Sequence, residues 1–104
     1  MVNIINLRLQ KPENPWDVRV DRSSVLGNPF KMKEESQRDE VCDKYDAYFA
    51  EQLRENPAVQ KEIQRILALH QTHGELNLFC WCAPKRCHAE TVRRHILQRL
   101  GLQS

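Results

Sequence analysis

Glu75-Leu76-Asn77-Leu78-Phe79-Cys80-Trp81-Cys82-Ala83-Pro84-Lys85-Arg86-Cys87-His88 (ELNLFCWCAPKRCH) decides how the rest of the chain is read. Leu76, Leu78 and Cys80 alternate with Asn77, Phe79 and Trp81, and the run holds few polar groups. That pattern predicts a strand covered on both faces. Ala83-Pro84-Lys85-Arg86 interrupts it. Cys87-His88 then opens an amphipathic run to Leu100, with Val92, Ile96 and Leu100 on one face. A buried strand, a short loop and a helix start put free N–H groups and partial positive charge at the strand's carboxyl end, where open α/β sheets bind ligands.

Working back from this stretch, Pro57 to about Thr72 reads as a helix, with Asn56 as its cap and Gly74 as its stop. Val41, Tyr45, Tyr48, Phe49 and Leu53 mark another helix over Gln37–Arg54, with Ser36 in the cap position. Trp16–Arg22 (WDVRVDR) and Val2–Leu9 alternate as two earlier strands, separated by the proline-rich turn KPENP. The order is β-β-α-α-β-α. It predicts a single α/β domain over residues 1–104, Rossmann-like, with a small, mostly three-stranded sheet and three main helices. The last strand belongs at the sheet centre. Phe30, Tyr45, Phe49, Ile63, Leu67, Leu76, Leu78, Val92 and Ile96 are the expected core.

Composition narrows the function classes. With 104 residues, 40% hydrophobic and 29% charged, this is one modest globular core. A net charge of +2 gives no nucleic-acid footprint. No apolar run approaches the ~18 residues of a membrane span, and MVNIINLRLQ has no secretory pattern. Four cysteines without a secretion signal fit a reducing compartment, so a cytoplasmic protein is expected.

Three chemistries compete at Cys80, Cys82, Cys87 and His88. The ligand types suit zinc, but Cys-x-Cys on a strand holds two sulfurs parallel instead of round an ion, so no metal is expected. Cys87 at a helix start beside Lys85 and Arg86 suits thiolate chemistry. The spacing Cys80-x5-Arg86 also matches a cysteine-phosphatase loop, but the loop has Pro84, no glycine, and Phe79 where that signature has histidine. The third reading is an anion or nucleotide pocket. The Asn28-Pro29 loop, Arg22 and Arg38 would meet the helix start there. Pro29 restricts Asn28 and gives its amide a preferred direction. Against all three stands plain packing of small buried cysteines.

The combination of Gly27-Asn28-Pro29-Phe30 with Cys80-x-Cys82-x-Pro84-x-x-Cys87-His88 resembles the uncharacterised family catalogued as domain of unknown function 4326. Its first strand is VNIINLR and its second ends in Asp-x-Arg. Ala89 stands where that family commonly has glycine, and Leu26 where it commonly has a tryptophan or similar residue. The resemblance implies a bacterial or bacteriophage protein working in the host cytoplasm, and one site built from motifs far apart in sequence. It supplies no activity or cofactor. The expected function is binding of a small phosphorylated or nucleotide-like ligand at the carboxyl end of the central strand. Arg22, Asn28, Pro29, Arg38, Cys82, Pro84, Cys87 and His88 are its candidate residues. The alternative is an interaction protein that binds a host protein, with the cysteine/histidine motif purely structural.

Overall fold

The computed structural model describes residues 1–101. Three strands, β1 (Val2–Asn6), β2 (Asp17–Arg19) and β3 (Leu76–Cys80), form one parallel sheet in the order β1-β3-β2. Three helices accompany it: α1 (Arg38–Glu55), α2 (Pro57–His73) and α3 (His88–Arg99). The expected α/β domain with β3 at its centre is what forms.

All five residues of β3 are buried, as its nearly unbroken apolar run requires. Leu76, Leu78 and Cys80 join one apolar cluster with residues of all three helices, among them Tyr45, Ile63 and Ile96. Phe79, on the alternate face, is also fully buried. Register is fixed by a polar rung. Asn3, Asn77 and Asp17 stand level across the three strands. Asn3 donates to Asn77 Oδ1 at 3.0 Å, and Asn77 donates to Asp17 Oδ1 at 2.8 Å. A one-residue slip of any strand would break this partly buried chain of two amides and a carboxylate.

Element ends differ from the expected ones for local reasons. The first strand stops at Asn6, not Leu9, because Asn6 Oδ1 accepts the Arg8 N–H at 2.8 Å and its carbonyl accepts from Leu9. The second strand is only Asp17–Arg19, although Asn77 N–H to Trp16 and Val20 N–H to Phe79 extend the pairing one residue each way. Ser36 does not cap α1. A short 3-10 turn, Glu35–Gln37, precedes that helix, and the Gln37 side chain accepts the Lys33 N–H at 2.9 Å. The start of α2 follows expectation: Asn56 Oδ1 accepts the Ala58 N–H at 3.0 Å, with Pro57 at the first position. Gly74 ends it at φ 71°, a conformation that favours glycine. In the core, the expected Phe30 and Leu67 are only half-buried, while Leu26, not expected there, is fully enclosed.

Candidate functional site

Because β2 and β3 are parallel neighbours, the loop after β2 and the loop after β3 leave the sheet at the same edge. The first of these, residues 20–30, is held tightly. Ser24 N–H donates to the Asp21 carbonyl and Gly27 N–H to the Ser24 carbonyl, both at 3.0 Å. The buried Tyr45 hydroxyl donates to the Leu26 carbonyl at 2.6 Å. At Gly27 a Cβ would lie 2.7 Å from both Arg22 Cα and the Asp21 carbonyl oxygen, so the chain passes too close for any other residue. Asn28 Oδ1 accepts the Phe30 N–H at 2.9 Å, closing a turn around Pro29.

The second loop joins β3 to α3 and contains a cis Ala83–Pro84 bond. The strand ends at Cys80, so Cys82 lies in a turn and does not share a strand face with Cys80. Cys87 caps α3: the Glu90 N–H donates to its sulfur, while the Glu90 carboxylate accepts the Cys87 N–H at 3.3 Å. The helix start is therefore partly satisfied from within. His88, buried in the first turn, is hydrogen-bonded through Nε2 to the Val20 carbonyl.

Between the two loops and α1 lies a cavity of about 370 Å³. Six of the eight candidate residues line it: Arg22, Asn28, Arg38, Cys82, Cys87 and His88. Pro29 and Pro84 do not. Pro29 is exposed on the loop it shapes, and Pro84 borders two neighbouring depressions. The sequence reading missed Asp21, Trp81 and Arg86 on one side of the cavity, and Phe30, Met32, Val41 and Cys42 as apolar wall. Trp81 was legible as an aromatic residue next to the motif, but its assignment to the strand hid its position past the strand's end.

Charges around the cavity are mostly paired. Burial alone would raise the Asp21 carboxyl. Hydrogen bonds from Arg19 (2.5 Å), Ser23 (2.6 Å) and the Trp81 indole (2.9 Å), with the Arg19 charge, outweigh it and hold the carboxyl at about 2. Arg38 grips Glu35 through two nitrogens, at 2.7 and 2.9 Å, and donates to the Arg86 carbonyl at 2.9 Å. Arg86 is taken by Asp43 at 2.9 Å and Asp39 at 3.1 Å. Arg22 is exposed, and its guanidinium makes no hydrogen bond or ion pair to any described residue.

Cys87, which lines the cavity, meets the buried Cys80 at 3.2 Å between sulfurs. The Cys87 S–H, together with the Cys82 and Ala83 N–H groups, favours a thiolate on Cys80 and lowers its titration against the effect of burial. Cys87 moves the opposite way, because a second charge beside Cys80 is resisted and the site is buried. All four cysteines are free thiols. Among the described residues, no three of His, Cys, Asp and Glu are grouped so as to hold a metal ion.

The model of the family described as Domain of unknown function (DUF4326) matches residues 5–98. Comparison with curated proteins gives no match, and neither does comparison with solved structures. Among the described residues, no helix is long and apolar enough to cross a membrane.

Proposed function

The chain belongs to the DUF4326 family, whose description assigns no activity, and we propose from the cavity itself that it binds a small phosphorylated or nucleotide-like ligand at the carboxyl end of β3. The observation that carries this is the convergence of Arg22 and Asn28, from the loop after β2, and His88, from the first turn of α3, on one cavity. Its volume falls in the range of small-molecule sites, roughly 300–1,000 Å³. The anion is expected at Arg22. Arg38 and Arg86 already have carboxylate partners, and the start of α3 carries its own carboxylate cap. Six intrinsic cap and loop contacts hold the walls without a ligand, so the site is pre-organised for one.

The alternative is a phage- or bacterium-encoded protein that binds a host protein, with the cysteine/histidine motif structural. It would draw on exposed apolar side chains such as Val25 and Trp81. A concave site with convergent polar groups supports the ligand reading over it. Free thiols at all four cysteines support work in a reducing cytoplasm, that of the host if the chain is phage-encoded. Calorimetric titration with ribose 5-phosphate and nucleoside monophosphates tests the reading. Binding that weakens about tenfold in Arg22→Gln, with unchanged urea unfolding, is the expected result. No binding of any phosphorylated ligand would overturn it.

A further inference from the structure

Asn28 and His88 are only 9% and 8% exposed, yet each leaves one polar atom without a partner among the described residues. For Asn28 the free atom is the amide nitrogen. Its oxygen accepts the Phe30 N–H, which settles which way the amide points and leaves Nδ2 with its donors unused. For His88 the free atom is Nδ1. A backbone carbonyl only accepts, so Nε2 must carry the proton that meets Val20. Burial disfavours the charged ring, which leaves Nδ1 as a bare acceptor.

Neither atom is sealed inside the protein. Among the described residues, His95 Nε2 is the single fully enclosed side-chain nitrogen or oxygen without a partner. Asn28 Nδ2 and His88 Nδ1 therefore reach open space, and the cavity is the space that both side chains line. A donor and an acceptor that largely buried side chains turn to a cavity are completed there by water or by the matching groups of a ligand. The same cavity supplies a flat surface. The Trp81 indole is held by its 2.9 Å bond to Asp21 while the residue stays 49% exposed. A fixed indole with an open side is a platform for a planar ring.

We infer that the ligand of this cavity presents one hydrogen-bond acceptor to the Asn28 amide and one donor to His88 Nδ1, the pairing carried by the lactam or amidine edge of a nucleobase. The ring rests against Trp81, and a phosphate attached through the sugar reaches Arg22 at the rim. This rests on the reading of the cavity as a ligand site and adds what part of the ligand is recognised. A sugar phosphate without a base would leave both groups to water.

The test is calorimetric titration of the full chain at neutral pH with ribose 5-phosphate, the four common nucleoside monophosphates and the matching uncharged nucleosides. Lactam bases (uracil, guanine) and amidine bases (cytosine, adenine) are separate arms. The expected result is that at least one nucleoside monophosphate binds roughly tenfold or more tighter than ribose 5-phosphate. Asn28→Asp keeps the oxygen that holds the Phe30 N–H and replaces the donor with an acceptor. It should weaken the preferred nucleoside by roughly tenfold, and the nucleoside has no charge for the new carboxylate to repel. Acidification that protonates His88 Nδ1 should weaken the nucleoside in the wild-type chain, a readout that needs no variant. If ribose 5-phosphate binds as tightly as every nucleoside monophosphate, the base-reading inference falls and the anion site stands. If none of these ligands binds, both fall.

Discussion

The Tyr45 hydroxyl reaches out of α1 and donates to the carbonyl of Leu26 at 2.6 Å, inside the protein. Burial pushes this phenol's titration up, so it remains a donor throughout the ordinary pH range. One hydrogen bond thus anchors the loop that carries Arg22 and Asn28 to the helix across the cavity.

Tyr45→Phe removes that donor and leaves a buried carbonyl unpaired. Urea unfolding should show a loss of about 1–3 kcal/mol. Affinity for a cavity ligand should fall as well, because the loop loses its tether. A variant as stable as the wild type would mean that water replaces the hydroxyl.

Gly27→Ala tests the close approach of the loop to itself. The new methyl meets main-chain atoms of Asp21 and Arg22 at 2.7 Å, and backbone cannot swing aside as a flexible side chain can. Destabilisation of about 1–3 kcal/mol is expected by urea unfolding, with weaker ligand binding from displacement of Arg22 and Asn28. Wild-type stability and affinity together would show that the turn relaxes freely.

Asn77→Ala breaks the polar rung at its middle. Asn3 and Asp17 each lose a partner, and about 1–3 kcal/mol should be lost in urea unfolding. Combining it with Asp17→Ala should cost less than the sum of the two, since both remove the same bond. Strict additivity would argue that the rung is not a connected unit.

The elements were legible where a local signal sufficed. The apolar run Leu76–Cys80 announces a strand buried on both faces, Asn56-Pro57 announces a helix start, and Gly74 its end. That Asn28 and His88 line one cavity was expected only on condition that β2 and β3 are parallel neighbours, and that arrangement lies in the strand pairing, not in either motif. The polar rung was not legible. Nothing in the one-dimensional pattern says that Asn3, Asp17 and Asn77 stand level, since that depends on the register of three strands. Trp81 with Asp21 and Arg86 with Asp39 and Asp43 were hidden for the same reason. Each partner looks like an ordinary surface residue until the fold brings the other one to it.

Acid should weaken the cavity wall in a defined window. The Asp21 carboxyl titrates at about 2 in the folded chain against an ordinary 3.8. A group that ionises more readily when folded adds stability above its unfolded value, and that contribution drains as pH falls from about 4 towards about 2. It is on the order of 2 kcal/mol for a shift of this size. Asp21→Asn should therefore be less stable than the wild type at neutral pH and show a shallower acid slope in urea unfolding. Parallel slopes would mean that Arg19, Ser23 and Trp81 do not favour the ionised form.

The close sulfurs make a spectroscopic prediction. Ultraviolet thiolate absorbance of the wild type should include a thiol that ionises below the ordinary cysteine range, assigned to Cys80. Cys87→Ala deletes the S–H donor and should move that titration up, while Cys42→Ala should leave it in place. An unmoved titration in Cys87→Ala would place the cause in the loop N–H groups alone.

The position of β3 in the sheet also bears on how the protein comes into being. Neither β1 nor β2 pairs with the other; each pairs only with β3. The first strand waits for a partner 74 residues downstream. During synthesis, no ladder of the sheet can close until the segment ending at Cys80 has left the ribosome. Before that moment α1 and α2 can form locally, while two β-prone segments remain without partners. Contacts of such long sequence separation slow folding and lengthen the time that strand edges stay open to other chains. The nascent chain is thus most exposed to misassociation just before its central strand arrives, and the cavity at the sheet edge is among the last features to be completed.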